Sequence, residues 1–207
     1  MKMSILFISQ GFIHPSVLAC RALYRVLLSS GEFNLQQAAS LEALTRMPLE
    51  KVQAVVLYFH QRTISAKALD CLEQYLSQGG GCLAVHSASA SFKQEPHFAA
   101  LLGGRFDHHG PVEEFTIFPY LSPDPIFQDI LPFSLKDERY LHVYDPGNTI
   151  HFASRSETGL EPLVWTRAHG QGRVCYCAAG HTLSSLRRPE IQQILLQGLR
   201  WCAGVKE

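Results

Sequence analysis

The chain has 207 residues, of which 46% are hydrophobic and 17% are charged, and its 18 basic residues balance its 18 acidic residues. This composition excludes a disordered chain. The neutral balance provides no overall field that would recruit nucleic acid or an anionic membrane. The apolar run at residues 5–8 is too short for a signal peptide, and no later run approaches a membrane span, so we expect a cytoplasmic protein.

Strands and helices alternate through the first ninety residues. An apolar strand is predicted at residues 2–9, and a helix with apolar residues at helical spacing runs from Val17 to Ser30. Further strands are predicted at residues 33–38, 52–59 and 82–85. Between the last two, a helix begins after Thr63 or Ser65 and ends at the glycines of residues 79–81. The alternation predicts a three-layer, mostly parallel α/β sheet with right-handed crossovers in a single domain over residues 1–207.

The second half of the chain departs from this alternation. Residues 120–147 are rich in proline and aspartate and are predicted to form an inserted, β-rich segment. Asp107, His108 and His109 are placed in a loop. The other predicted elements are, in chain order, a helix at residues 96–102 ended by two glycines, strands at 112–118, 160–167 and 172–178, and a final helix opened by Pro189.

The segment QGGGCLAVHSAS, at residues 78–89, predicts a helix end, a buried strand and an abrupt turn that presents His86. Ligands of parallel sheets bind beyond the carboxyl ends of the strands, where His86 would lie. Ser87 and the small residues after it allow a tight turn whose backbone N–H groups face a ligand. The structural alternative is a buried histidine that fills a turn.

Four histidine-bearing segments are candidates for one site at this edge. They contain His86, the adjacent His108 and His109, His142, and His181, which follows the strand at 172–178. Imidazole suits proton transfer near neutral pH and metal binding. Three histidines with a carboxylate would suit zinc, manganese or another divalent metal, but the scattered spacing is not a metal motif, so metal binding is left open.

Carboxylates and arginines complete the set of candidates. Glu138 is the best candidate for a base or for a residue that orients an imidazole. Asp137 is expected to be a helix N-terminal acid or part of a solvated salt bridge. Arg167 and Arg173 either bind an anionic group or clamp the hairpin between the two late strands.

Several segments together resemble the ThuA-like (trehalose-utilisation) family over about residues 50–204. They are, in order, GGGCLAVHSAS, LLGGRFDHHGPVEEFTIFP, KDERYLH, PLVWTRAHGQGRVCYCAAGHTLSS and ILLQGLRWCAG. The resemblance implies a flavodoxin-like fold similar to that of class I glutamine amidotransferases. In that wider fold the turn carries a nucleophilic cysteine. Here the turn carries His86, so glutamine hydrolysis through a thioester is not expected.

By this resemblance, the recurrent polar positions of the family match His86, His109, Glu113, Glu138, Tyr140, Arg167 and His181. The resemblance also implies a role with trehalose or related sugars, including oxidised (keto) glycosides. The first hypothesis is therefore an enzyme of sugar metabolism that uses His86 and His181 as acid–base partners and Glu138 as their helper, with or without a divalent metal. Ser87, His109, Glu113, Tyr140, His142 and Arg167 are the predicted binding residues.

The second hypothesis is a non-catalytic carbohydrate-binding or regulatory protein on the same scaffold. Trp165, Tyr140 and Tyr144 would then supply stacking faces for sugar rings. Both hypotheses expect a small-molecule sugar as the partner, with no nucleic acid and no membrane, and leave open whether the chain forms a homodimer.

Overall fold

In the computed structural model, which describes residues 2–10, 15–122, 124–156 and 159–204, the chain forms eleven strands, five α-helices and three short 3₁₀ helices. The strands are β1 (Met3–Gln10), β2 (Phe33–Ala38), β3 (Ala54–Phe59), β4 (Gly81–Val85), β5 (Gly104–His109), β6 (Glu113–Pro119), β7 (Phe133–Asp137), β8 (Tyr140–Tyr144), β9 (Thr149–Ser156), β10 (Gly159–His169) and β11 (Gly172–Cys177). The helices are α1 (Val17–Ser29), α2 (Ala66–Ser77), α3 (Pro96–Leu102), α4 (Leu183–Arg187) and α5 (Pro189–Cys202). None of these helices is long and apolar enough to cross a membrane.

Nine of the strands form one sheet in the order β2-β1-β3-β4-β11-β10-β9-β6-β7. The first five strands in this order are parallel, whereas each neighbouring pair from β11 to β7 is antiparallel. The remaining strands, β5 and β8, pair with each other in a small second sheet. The predicted α/β fold with an inserted β-rich segment is therefore confirmed.

The helices form at the places where the sequence supplies caps. The hydroxyl of Ser16 accepts the N–H of Ala19 at the start of α1, and that of Ser65 accepts the N–H of Ala68 at the start of α2. The crossover from β1 to β2 steps in the opposite direction from the crossover from β3 to β4. Because such crossovers are right-handed, α1 and α2 cover opposite faces of the sheet. Its central strands are accordingly buried on both sides.

Two parts of the insert differ from the prediction. The segment that was predicted to be a loop around Asp107 is strand β5, and Gly104 begins this strand rather than ending α3. Strand β9 was not predicted at all, although it lies between β10 and β6. The exposed ribbon β5 lacks a buried face, and β9 buries His151 and Ser154 among its core positions, so neither strand shows the usual apolar alternation.

A buried polar chain explains why His151 lies inside. Its Nδ1 lies 2.7 Å from Oδ2 of Asp124 and its Nε2 lies 2.7 Å from Oγ1 of Thr166. Oδ1 of Asp124 also accepts the N–H groups of Ile126 and Phe127. Burial alone would raise the pKa of Asp124, but these hydrogen bonds and the interaction with His151 outweigh burial and lower the pKa. Asp124 therefore fastens the loop before β7 to the sheet.

We expect Asp124→Asn to lower the free energy of unfolding by about 2 kcal/mol at pH 7, since it removes hydrogen bonds to a charged acceptor. A carboxyl whose pKa is lowered by folding stabilises the protein above its unfolded pKa of about 4, and this contribution disappears as the pH falls through the folded pKa. The difference in the free energy of unfolding between wild type and variant should therefore decrease as the pH falls, as measured by urea denaturation at several pH values. The exposed Asp129→Asn is the control. A difference in the free energy of unfolding that does not change with pH would contradict the stabilising role of the Asp124 carboxylate.

Candidate active site

His86 follows β4 in a backbone conformation that side chains seldom adopt. Its φ is +46° and its side chain is buried, and such a conformation costs about 1–3 kcal/mol for a residue with a Cβ. Its carbonyl oxygen accepts hydrogen bonds from the hydroxyls of Tyr176, at 3.0 Å, and Ser89, at 3.2 Å. The surrounding fold thus holds this residue in place despite the strain.

Pairing between β4 and β11 brings the second predicted histidine to the same place. The two strands are parallel, with Val85 opposite Cys177, so the residues after both strands leave the same edge of the sheet. Nδ1 of His86 donates a hydrogen bond to the carbonyl of Ala178 at 2.7 Å. The ring centroids of His86 and His181 are 5.4 Å apart.

One carboxylate faces three imidazoles at this edge. Oε2 of Glu138 lies 3.6 Å from Nε2 of His86 and 3.2 Å from Nδ1 of His181, and Oε1 lies 3.8 Å from Nε2 of His109. Glu138 is almost completely buried, whereas His109 and His181 are partly exposed, so a substrate would approach from their side. The neighbouring His108 turns away and contacts Asp107 at the surface.

The charge state of this cluster follows from burial and contacts. Burial alone would raise the pKa of Glu138, but the contact with His86 and the charges of His181, His109 and His86 outweigh it and lower the pKa. Because a carbonyl oxygen only accepts, Nδ1 of His86 carries the proton that binds Ala178. Nε2 of His86 is buried and has no hydrogen-bond partner among the described residues. This nitrogen, beside the carboxylate of Glu138, is therefore placed to hold a proton, a cation or a polar group of a substrate.

Tyr140 and His142 form the wall behind the cluster. The ring of Tyr140 is buried and stacks on His86 with centroids 4.0 Å apart. Burial, with the charges of Glu138 and Asp137, raises the pKa of its hydroxyl, which therefore stays protonated. Burial, with the charge of His86, lowers the pKa of His142 to about 3, so its ring is neutral. Nε2 of His142 lies 3.0 Å from the hydroxyl of Tyr176.

Asp137 is not the solvated acid that we expected. It is completely buried, and its Oδ2 accepts the N–H groups of Gly180, at 2.9 Å, and His181, at 3.3 Å. Its Oδ1 accepts the N–H of Glu138 at 3.0 Å. The hydroxyl of Tyr58 donates to the carbonyl of Gly180, so both the N–H and the carbonyl of Gly180 are hydrogen-bonded. The alternating burial of β7, in which residues 133, 135 and 137 face inward, was the signal that could have revealed it.

The other predicted binding residues lie at different distances from the cluster. Ser87 is buried next to His86, and its hydroxyl has no hydrogen-bond partner among the described residues. The carboxylate of Glu113 pairs with Arg139 at 2.6 Å, and Arg167 contacts Asp145 at 3.2 Å. Neither Glu113 nor Arg167 is joined to Glu138 by these contacts.

Sugar stacking on Trp165, which the second hypothesis suggests, does not agree with the structure. Trp165 is completely buried and donates its indole N–H to the carbonyl of Leu102. Tyr140 is covered by His86 on one side and contacts Phe106, with centroids 4.3 Å apart. Of the three proposed stacking residues, only Tyr144 is exposed. The aromatic side chains therefore build the wall of the site rather than an open platform.

The donor set also suits a divalent metal. One ligand atom each from His86, Glu138 and His181 lie within 4.8 Å of one another. Two imidazoles and a carboxylate are ligands that zinc accepts and that other divalent transition metals use. The hydrogen bond from Nδ1 of His86 to a backbone carbonyl is typical of histidines that bind metal through their other nitrogen. These residues therefore fit a metal ion.

Comparisons with known proteins identify the family and the fold. The model of a protein family described as ThuA, trehalose utilisation, matches residues 4–202. A protein described as ThuA-like from Parabacteroides merdae superposes with a TM-score of 0.87 at 20% identity, over 100% of this chain and 91% of that one. A cytoplasmic protein from Salmonella typhimurium LT2 superposes with a TM-score of 0.69 at 16% identity, over 97% of this chain and 97% of that one. No curated protein matches the sequence significantly.

The same fold also occurs as part of a larger protein. A β-galactosidase from Bacillus circulans sp. alkalophilus superposes with a TM-score of 0.64 at 12% identity, over 98% of this chain but only 30% of that one. At these identities the solved structures show the shared fold alone. The family match covers nearly the whole chain.

We expect Asp137→Asn to loosen the segment that carries His181, because an amide can accept only through one oxygen and would present N–H donors to backbone donors. Amide hydrogen exchange at Gly180 and His181 should become at least tenfold faster, which corresponds to about 1.4 kcal/mol of local stability. Amides in β1 should change much less. The exposed Asp145→Asn is the matched control, and unchanged exchange at Gly180 and His181 would show that Asp137 does not hold this segment.

Proposed function

The chain belongs to the trehalose-utilisation (ThuA) family, and we propose that it is an enzyme acting on a sugar or keto-sugar by acid–base chemistry between His86 and His181. The family supports a role in sugar metabolism. The observation that carries the chemistry is the position of Nε2 of His86, which is buried and lies 3.6 Å from Glu138 and near His181.

His86 is the proposed base. Its Nδ1–H is engaged by Ala178, so Nε2 is the nitrogen that would accept the proton, and the nearby carboxylate of Glu138 would stabilise the resulting imidazolium. His181, which also contacts Glu138 and is partly exposed, is the proposed acid. Tyr140 closes the site behind His86, and of the two proposed reacting groups only His181 is partly exposed.

This pair of groups suits a proton transfer next to a carbonyl. His86 would remove the proton from the carbon beside the keto group of a sugar, while His181 would give a proton to the carbonyl oxygen, so that an enediol forms without net change in protons. Re-protonation at the other carbon, or loss of a glycosidic oxygen beside the new double bond, would then give an isomer or a cleaved glycoside. Both outcomes need only the acid and the base.

A divalent metal such as zinc or manganese, held by His86, Glu138 and His181, would supply Lewis-acid stabilisation of the carbonyl oxygen. With a metal bound, Nε2 of His86 would be occupied by the ion. Proton transfer would then fall to groups on the exposed side, of which His109 is the nearest to Glu138.

The proposed chemistry is tested by variants that keep the fold. We expect His86→Asn to lower turnover of a keto-glycoside by about 10²- to 10⁴-fold, because asparagine tolerates a positive φ but cannot act as the base. Glu138→Gln should have a similar effect, whereas His108→Asn should retain turnover within about twofold of wild type, since His108 points away. Trehalose and its keto derivative should be compared by NMR in D₂O, where proton abstraction also appears as deuterium incorporation. A wild type with neither turnover nor deuterium incorporation on these sugars would contradict the proposal.

Metal assistance has its own test. Zinc or manganese added to chelator-treated protein is expected to bind one ion per chain and to bind at least tenfold more weakly to Glu138→Gln, as measured by elemental analysis and titration calorimetry. Binding should weaken as the pH falls, because protons compete for the imidazoles. Failure of the wild type to bind either metal would exclude metal assistance and leave the metal-free route.

A further inference from the structure

A groove of about 290 Å³ lies between α1 and the segment formed by α4 and the first turns of α5. Its lining combines three guanidinium groups with an apolar floor. The guanidiniums belong to Arg21, Arg25 and Arg187, and the floor includes Leu18, Leu183 and Leu186. This groove lies outside the cluster around Glu138 and contains none of its residues.

The positive charge of this groove is not compensated. Arg21, Arg25 and Arg187 form no ion pair with any carboxylate in the described part of the chain, and no acidic residue lines the groove. Other arginines do find partners, and Arg188, the next residue along from Arg187, pairs with Glu190 at 2.9 Å. Arg21 and Arg25 also lie one helical turn apart, where like charges oppose helix formation. The groove therefore has a local positive charge in a chain with no net charge, which favours an anionic ligand.

Part of the apolar lining of the groove, at the beginning of α1, is exposed to water. Leu18 is 61% exposed and the preceding Val17 is 44% exposed, at the end of α1 that is nearest to the carboxyl edge of the sheet. Leu186 forms the buried base of the groove. An inorganic anion would satisfy the arginines but would leave this apolar surface in water.

We propose that this groove binds an organic phosphate, a phosphate monoester that carries an alkyl or aryl group. Guanidinium groups match phosphate oxygens with paired hydrogen bonds, and the apolar floor would cover the organic group. A volume of about 290 Å³ suits a small molecule of this class. The site is independent of the proposed sugar chemistry, although α4 begins two residues after His181, so a bound ligand would touch the segment that leaves the active site.

The first probe is phenyl phosphate, compared with inorganic phosphate and with phenol by titration calorimetry and by NMR of the methyl groups of Leu183 and Leu186. We expect saturable 1:1 binding of phenyl phosphate that is at least tenfold tighter than that of either fragment. The double variant Arg21→Gln/Arg25→Gln should weaken it at least tenfold. Arg46→Gln/Arg62→Gln, with the same change in charge at exposed positions outside the groove, should leave it unchanged.

Three outcomes would overturn the assignment. Equal weakening by both double variants, or equal affinity for phenyl phosphate and inorganic phosphate, would show only general attraction between arginines and anions. Binding to vesicles that contain phosphatidylglycerol without binding to phenyl phosphate would assign the same surface to a membrane instead. Circular dichroism of each variant separates a loss of binding from a loss of fold, because all four arginines are exposed.

Discussion

The buried carboxylate of Asp137 holds the two halves of the candidate site together. It ends β7 at the outer edge of the sheet, yet it accepts N–H groups from Gly180 and His181, which follow the central strand β11. Three strands separate β7 from β11 in the sheet order, so the antiparallel extension must curve back over the carboxyl edge. A buried carboxylate without donors would be costly, and these N–H groups supply them. The insert is therefore what brings Glu138 to the histidines.

His86 and Glu138 each occupy an environment that is unfavourable when considered alone. His86 has a strained backbone, and Glu138 has lost most of its contact with water. Each is tolerated because its neighbours compensate: hydroxyl groups hold the carbonyl of His86, and imidazoles stabilise the carboxylate of Glu138. Strain and burial of this kind are concentrated at functional sites, where the scaffold supports geometry that the local sequence would not choose.

The parallel half of the fold was predictable because its signals are local. Strands β1, β3 and β4 are continuous apolar runs, and Ser65 and the glycines after α2 mark the ends of that helix. The same logic placed His86 and His181 at one edge. The insert was less predictable because its strands are specified by distant partners. His151 is a core residue only because Asp124 and Thr166 meet it there, and no local pattern shows this.

The choice between His108 and His109 shows the same limit at the scale of one residue. In a regular strand, residues two apart share a face, so Phe106 and His108 would point together. The pairing of β5 with β8 is instead interrupted by a bulge between Phe106 and His108. Consequently Phe106 and His109 both contact Tyr140, with centroid distances of 4.3 and 5.7 Å, and His109 reaches Glu138. A bulge re-aims side chains in this way, and because it depends on the partner strand, the adjacent histidines could not be distinguished from the sequence.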